Sequence, residues 1–358
     1  MVRLKVDEKY RFVSLFDPHT GLSIRSNVYE PGGVDTGNDP FQAGFPELLD
    51  IGIMGSCVHG RSGLCTKAGI ECYQDGPHLA EENMPLARFK DIIDQGQGRI
   101  FQVALGGRGD PETHPDFVEI LRYCREKQVV PNFTTSGLGL RPEMLPAIKE
   151  YCGAVAVSWY RSSYTLKSIE LLLGAGIKTN IHYWLSRATI DEAISRVEHS
   201  NWPEGINRII FLLHKPIGLG RRENVLSVSD PRVRRFFSLF DRGENARQAG
   251  FDSCSVPALL NFTSKIHPLF VEPCEASRFS AYISPDLTLY PCSFAQEPSL
   301  GVSLDNCSIE EAWNSEKFAA FRRRYQNGCQ NCPKYKHCLG GCPVIPAITL
   351  CPQHSLSR

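Results

Sequence analysis

The chain has 358 residues, enough for one large α/β domain and a smaller one with an ample core. Its 39 Lys and Arg balance 39 Asp and Glu, so no polybasic footprint points to nucleic acid or to an anionic membrane surface. The opening MVRLKVDEKYRFVSLFD is charged and lacks an apolar signal core, and no run reaches the length of a membrane span, so a cytoplasmic protein is expected.

Residues 1–44 read as a small extension. RFVSLFD and GLSIRSN flank the turn Asp17-Pro18-His19-Thr20-Gly21, which predicts a hairpin, and the Gly/Pro/Asp-rich EPGGVDTGNDP follows as a linker. Such a hairpin suits either edge pairing with a peptide backbone or a plain flap over the next domain. From 45 to 225, strand-like runs (ELLDIGIM, IFQVALGG, VVPNFTTSG, AVAVSW, KTNIHYWL, RIIFLLHK) alternate with amphipathic helical segments (PLARFKDIIDQ, DFVEILRYCREK, RPEMLPAIKEYC, YTLKSIELLLGAG, TIDEAISRVEHS). Strand and helix repeated about six times predict a parallel sheet with right-handed crossovers, either an open doubly wound sheet or an α/β barrel, partial or full. In each case the chemistry gathers at the C-terminal ends of the strands.

The candidate motifs sit at those ends. Cys57 follows the first strand, GGRGDP the second, Thr135-Ser136-Gly137 the third, and Ser158 closes the fourth. In 226–358 periodicity weakens and cysteines crowd together. Fourteen cysteines in a reducing compartment call for ligand or redox roles rather than a disulfide framework. The tail Cys329-Gln-Asn-Cys332-Pro-Lys-Tyr-Lys-His-Cys338-Leu-Gly-Gly-Cys342 carries close pairs that suit a tetrahedral zinc or an iron–sulfur cluster equally well. With Cys254, Cys274, Cys292 and Cys351 the tail holds eight thiols, enough for two four-ligand centres. The loop CVHGRSGLCTKAGIECYQDG adds only three. A cuboidal cluster held by three thiolates leaves one iron open to an outside ligand, as catalytic metal sites do.

These residues resemble the radical S-adenosylmethionine enzymes that carry a C-terminal SPASM domain, over about residues 45 to 351. That family places a CxxxCxxC loop after its first barrel strand with an aromatic residue beside the last cysteine; here Tyr73 follows Cys72, and seven and six residues separate the three cysteines. The resemblance implies a partial (β/α)6 TIM-like barrel at 45–225 and, at 226–358, a linker helix and a cysteine-rich domain binding auxiliary clusters. It also implies that Cys57, Cys65 and Cys72 hold a 4Fe-4S cluster that binds S-adenosylmethionine, with Tyr73 beside it. GGRGDPETHPDF looks like the family's glycine-rich carboxylate motif, so Gly107, Gly109 and Asp110 would contact the cofactor's methionine part; a second register would put Arg108 in the carboxylate's place. Ser158 matches the fourth-strand serine that contacts the ribose, Ser136 lies where the third strand commonly contributes to cofactor binding, and KPIGLGR matches the sixth-strand exit near the adenine. The interleaved SPASM pattern would give Cys254, Cys274, Cys292 and Cys342 to one auxiliary cluster and Cys329, Cys332, Cys338 and Cys351 to the other. Cys124, Cys152 and Cys307 read as inert thiols, and His59, His182 and His214 as core or solvated histidines.

The family's chemistry is reductive cleavage of S-adenosylmethionine to a 5'-deoxyadenosyl radical that abstracts hydrogen from a substrate. The expected function is therefore maturation of a ribosomally made precursor peptide by a thioether or carbon–carbon crosslink, the wording of several stretches lying nearest the maturases of Cys-repeat peptides. Flavodoxin or ferredoxin would supply the electron. Two alternatives are a sulfatase-maturase-like activator of a folded protein and a non-catalytic zinc-binding scaffold.

Overall fold

The computed structural model describes residues 1–353 apart from 68, 327, 328 and 330. The N-terminal extension is a three-stranded antiparallel sheet, β1 (Arg3–Asp7), β2 (Phe12–Phe16) and β3 (Ser23–Arg25). The β2–β3 hairpin is the anticipated one, its turn closed by Asp17, which accepts from the His19 amide at 3.0 Å, and by Gly21 at φ +80°. RLKVD adds a third strand, in register Val6 to Val13. Its polar side faces inward: the Ser14 hydroxyl donates to Glu47, and Arg25 pairs with Glu47 at 2.8 Å and Glu275 at 2.7 Å. Phe16 stacks on Phe101 at 5.2 Å just ahead of the second barrel strand, and Lys178, just ahead of the fifth, donates to the His19 carbonyl at 2.7 Å. The sheet thus covers the N-terminal ends of the barrel strands, opposite the mouth.

The barrel strands are β4 (Leu48–Met54), β5 (Gln102–Gly107), β6 (Val130–Thr135), β7 (Val155–Ser158), β8 (Thr179–Leu185) and β9 (Arg208–Leu213). After β4 come two single-turn helices, α1 (Val58–Arg61) and α2 (Leu64–Lys67). The crossover helices are α3 (Leu86–Gly96), α4 (Phe117–Glu126), α5 (Leu145–Tyr151), α6 (Ser163–Gly174) and α7 (Ile190–Glu198). Every strand and helix expected here from the sequence is present. Alternation along β4 explains the layering: Leu49, Ile51 and Ile53 are buried under the helices, where α3 sets Phe89, Ile92 and Ile93 against the same core, while Asp50 and Gly52 face the other way. Each such fully buried side chain contributes about 1.5–3 kcal/mol.

The parallel sheet runs past residue 225, where the barrel was expected to end. Helices α8 (Pro231–Ser238) and α9 (Gly243–Gln248) lead into β10 (Ala249–Phe251), which pairs in parallel with β9. After α10 (Val256–Phe262), β11 (Ser280–Ile283) pairs in parallel with β4, and β12 (Thr288–Tyr290) and β13 (Val302–Ser303) extend that side antiparallel. The result is one ten-stranded sheet, in the order β10-β9-β8-β7-β6-β5-β4-β11-β12-β13, open between its two edges. Helices α11 (Ile309–Trp313), fixed by a capping box of Ser308 and Glu311, and α12 (Glu316–Arg323) pack behind the hairpin.

Candidate metal centres

The loop after β4 is folded around its sulfurs. Cys57 caps α1, its Sγ accepting from the Gly60 amide at 3.1 Å, and α2 carries Cys65. Gly76 closes the loop so tightly that a Cβ there would stand 2.9 Å from Cys57 Cβ, 3.6 Å from Cys57 Sγ and 3.7 Å from Cys72 Sγ. The third thiol joins them: burial, with Cys57, Cys72 and Asp110 nearby, pushes Cys65 up to about 11. Mutual repulsion among thiolates is what a bound cationic cluster would relieve. The loop is tied down from the sixth strand. Glu71 accepts from the Arg221 amide at 2.8 Å, Leu219 donates to the Cys72 carbonyl at 3.0 Å, and Gly218, at φ +59°, lies against the backbone of Cys72 and Tyr73. The glycines of KPIGLGR thus serve here as a brace for the loop.

Beside it, Gly107 and Gly109 have φ of +108° and +140°, and added Cβ atoms would meet the Met54 and Ser56 carbonyls at 2.4 and 2.7 Å. Only glycine fits both positions, which lets the second strand exit lie flat against the first. Asp110 faces the mouth, accepting from the Ser136 amide at 2.8 Å and its hydroxyl at 2.5 Å; His59 Nε2 is 3.1 Å away but off the line of a hydrogen bond. Arg108 turns outward to Glu81 at 2.5 Å, so the register that uses Asp110 is the one whose carboxylate points inward. Ser158, at the end of β7, accepts at its carbonyl from the Tyr160 amide at 2.8 Å, and the Tyr160 hydroxyl lies near the Ser158 side chain, Asp110, Cys65 and Cys72 and is held protonated by burial.

The sequence signalled nothing at Tyr160, nor at Glu112. The latter accepts from the Thr135 hydroxyl, has one buried oxygen without a partner, and is pushed up to about 8 by burial and by Asp110. Tyr73 is 37% exposed, and its ring lies 4.6 Å from that of Phe294. Asp50 and Tyr282, paired across β4 and β11, lie near Tyr73, and burial pushes Asp50 up to about 7. His182, read as a core histidine, is enclosed, held down to about 4 by burial, and 3.3 Å from the Thr134 hydroxyl. His214 bridges the Trp184 ring nitrogen and the Arg221 carbonyl.

The tail cysteines sort into two groups. Cys254 lies beside Cys342, and Cys274 and Cys292 lie within electrostatic reach of Cys254 and of each other. This group is hydrogen-bonded by the Tyr325 hydroxyl to Cys274 at 3.2 Å, the Phe294 amide to Cys292 at 3.5 Å and the Ile345 amide to Cys342 at 3.3 Å. The second group brings Cys338 near Cys351, Cys332 and Cys329, with the Asn261 amide 3.6 Å from Cys351. Cys124 lies buried beside Cys152, away from both, and the Cys307 thiol donates to the Ser303 carbonyl at 3.1 Å. Each group of four is all sulfur, a soft donor set that suits iron–sulfur ligation. Among the described residues no three His, Cys, Asp or Glu side chains converge closely enough for a single ion. A tetrahedral zinc with ligands at about 2.3 Å needs its sulfurs roughly 3.8 Å apart, a tighter knot than a cuboidal cluster demands. The residues present therefore fit clusters better than the zinc of the scaffold alternative.

An open, TIM-like α/β barrel with three thiols at its mouth, continued by a hairpin domain holding two thiol tetrads, is the class of protein that these observations define. Residues 274–333 match SPASM, an iron–sulfur cluster-binding domain. Along the chain, mycofactocin maturase MftC of Mycobacterium tuberculosis is 25% identical over 311 residues, covering 80% of this chain and 77% of that protein. MftC of Mycobacterium ulcerans is 24% identical over 310 residues, covering 80% and 82%. Among solved structures, Streptococcus suis SuiB bound to precursor peptide SuiA superposes with a TM-score of 0.69 at 14% identity, covering 98% of this chain and all of that one. Native anSMEcpe with bound AdoMet gives 0.60 at 14% identity, covering 86% and 95%. The resemblance to a radical S-adenosylmethionine barrel joined to a SPASM domain is borne out.

Proposed function

We propose that this chain is a radical S-adenosylmethionine enzyme that matures a ribosomally made peptide by forming a thioether or carbon–carbon crosslink. The observation that carries the reading is the trio of Cys57, Cys65 and Cys72 gathered at the strand ends, facing Asp110, Ser158 and Tyr160. A three-thiolate 4Fe-4S cluster there would supply the electron that splits bound S-adenosylmethionine into methionine and a radical able to take hydrogen from carbon. Asp110 would orient the cofactor's amino group, and Gly107 and Gly109 let the strand exit that carries it lie against the backbone of Met54 and Ser56 at the head of the thiol loop. Ser136 fixes Asp110, while Ser158 and Tyr160 would supply hydroxyls to the cofactor from the fourth strand end. Tyr73, with Tyr282 and Asp50 beside it, would face the substrate and help keep bulk water from the radical. The two tail tetrads, Cys254, Cys274, Cys292 and Cys342, then Cys329, Cys332, Cys338 and Cys351, would hold the auxiliary clusters.

A peptide substrate is favoured by the maturase relatives that match four-fifths of the chain, and by the SuiB complex with its precursor peptide. Flavodoxin or ferredoxin is the expected electron donor, and the cytoplasm, where thiols stay reduced, the expected compartment; no helix among the described residues is long and apolar enough to cross a membrane. The test is anaerobic purification followed by reduction with S-adenosylmethionine, and coexpression with short reading frames flanking the gene. Roughly twelve irons per chain, 5'-deoxyadenosine, and a peptide lighter by two hydrogens per crosslink are expected. A loaded protein that forms no 5'-deoxyadenosine refutes the enzyme. One that forms it but alters none of those peptides refutes the substrate.

A further inference from the structure

Lys215 lies two residues beyond β9 and is almost wholly buried. Its ammonium donates to Asp252 Oδ2 at 2.6 Å and to the Leu213 carbonyl at 2.8 Å, and stands 4.5 Å from the centre of the Phe294 ring. Asp252 is itself anchored by the Ser255 hydroxyl at 2.8 Å and the Leu213 amide at 3.0 Å. Burying such a pair costs more than packing apolar side chains of the same volume, so stability alone does not account for it. Its orientation supplies a reason. Lys215 rests over the Phe294 ring, whose amide donates to Cys292 Sγ at 3.5 Å, and Asp252 lies two residues ahead of Cys254. The pair therefore stands beside the first tetrad, its positive end on the Phe294 and Cys292 side.

We propose that Lys215 is a fixed cation that raises the reduction potential of the cluster held by Cys254, Cys274, Cys292 and Cys342, making it the acceptor for the electron released on crosslinking. This rests on the cluster reading above. In a thioether closure one hydrogen atom leaves the substrate carbon for the 5'-deoxyadenosyl radical. The carbon radical then bonds to a thiol sulfur, whose proton goes to water, and the remaining electron goes to the cluster, which gains one negative charge. A neighbouring positive charge favours that more negative state, and fixed charge is among the levers that set such potentials. Lys215 is thus a positioning residue for an electron, touching neither cofactor nor substrate.

The test is a potentiometric titration followed by electron paramagnetic resonance on cluster-loaded protein, with Cys57, Cys65 and Cys72 all changed to Ala so that only auxiliary signals remain. Lys215→Met should make one of the two auxiliary clusters about tenfold harder to reduce at a given potential, a shift of about 59 mV. Lys215→Arg should restore the parent value, and Asp252→Asn, which leaves the cation uncompensated, should move the same signal the opposite way. Should Lys215→Met lose its iron, Asp252→Asn decides alone: an upward shift supports the proposal, and no shift or a downward one overturns it. Parent-like potentials in iron-complete variants overturn it while leaving the cluster reading intact. Absence of tetrad iron from the parent overturns both.

Discussion

Gly76→Ala tests the sulfur arrangement without touching a sulfur. The added methyl carbon would stand 2.9 Å from Cys57 Cβ, where carbon atoms ordinarily meet at about 3.5–4.0 Å. Cys57 must therefore retreat by about 0.6 Å or more, while metal–ligand distances tolerate only about 0.2 Å. Gly76 lies outside the left-handed region, so alanine strains no backbone angle and the effect is one of space alone. Overpacking of this kind costs about 1–3 kcal/mol, a fraction of the roughly 5–15 kcal/mol that keeps a domain folded. The variant should fold, keep both tail clusters and lose about a third of its iron together with cofactor cleavage. Gly174→Ala, at the end of α6 with nothing within 4 Å of the new carbon, is the control and should change neither. Iron analysis and 5'-deoxyadenosine yield are the readouts. A Gly76→Ala protein with full iron and parent-like cleavage would show that Cys57 and Cys72 do not hold a common centre.

Asp110→Ala should weaken S-adenosylmethionine binding at least tenfold by calorimetry while leaving iron content unchanged, because Asp110 faces the mouth and also fixes Ser136; an unchanged dissociation constant would remove it from the cofactor site. Glu112 is held near 8 against an ordinary 4.5, so the folded chain binds its proton more tightly than the unfolded one. That contribution is complete below about pH 4.5 and is lost as the pH climbs through 8. Glu112→Gln should accordingly lose less thermal stability than the parent between pH 6 and 9, and parallel melting curves would refute the assignment. Arg25→Met leaves the buried Glu47 with only Lys5, 4.0 Å away, as a charged partner and should cost about 3 kcal/mol, the low end for breaking a buried pair. Denaturant titration reads that loss, and hydrogen exchange should rise across β1–β3 first.

Much of the barrel was legible because each strand–helix unit writes its own periodicity locally. Val155-Ala-Val-Ser158 is apolar and flanked by helix signals, so it could be nothing but a buried strand. The pairing of the hairpin β11–β12 with the barrel was not legible in this way. Ser280 pairs with Leu48, far back in the chain, and nothing local in YISPDLTLYPC names that neighbour. The short β10, with Gly250 at its centre, carries too little pattern to announce a seventh parallel strand. At the site, the cysteines and the glycines with positive φ could be read because few other residues do their work. Glu112, Tyr160 and Lys215 are common residues in common contexts, and only enclosure makes them chemical.

The long-range pairing of β11 with β4 has a functional consequence. It makes the cysteine-rich hairpin part of the same sheet that carries the three-thiol loop, so the two sulfur groups are fixed by backbone hydrogen bonds rather than by a flexible linker. Tyr73 reports how close this brings them. It follows Cys72 directly, lies within electrostatic reach of Cys292, and touches the Phe294 ring against which Lys215 also rests. Tyr73 therefore lies between the place where a hydrogen atom would be taken and the place where an electron would be received. A substrate radical formed there would be near its oxidant before it could diffuse or be quenched, and that adjacency is what one-way bond formation by a radical requires.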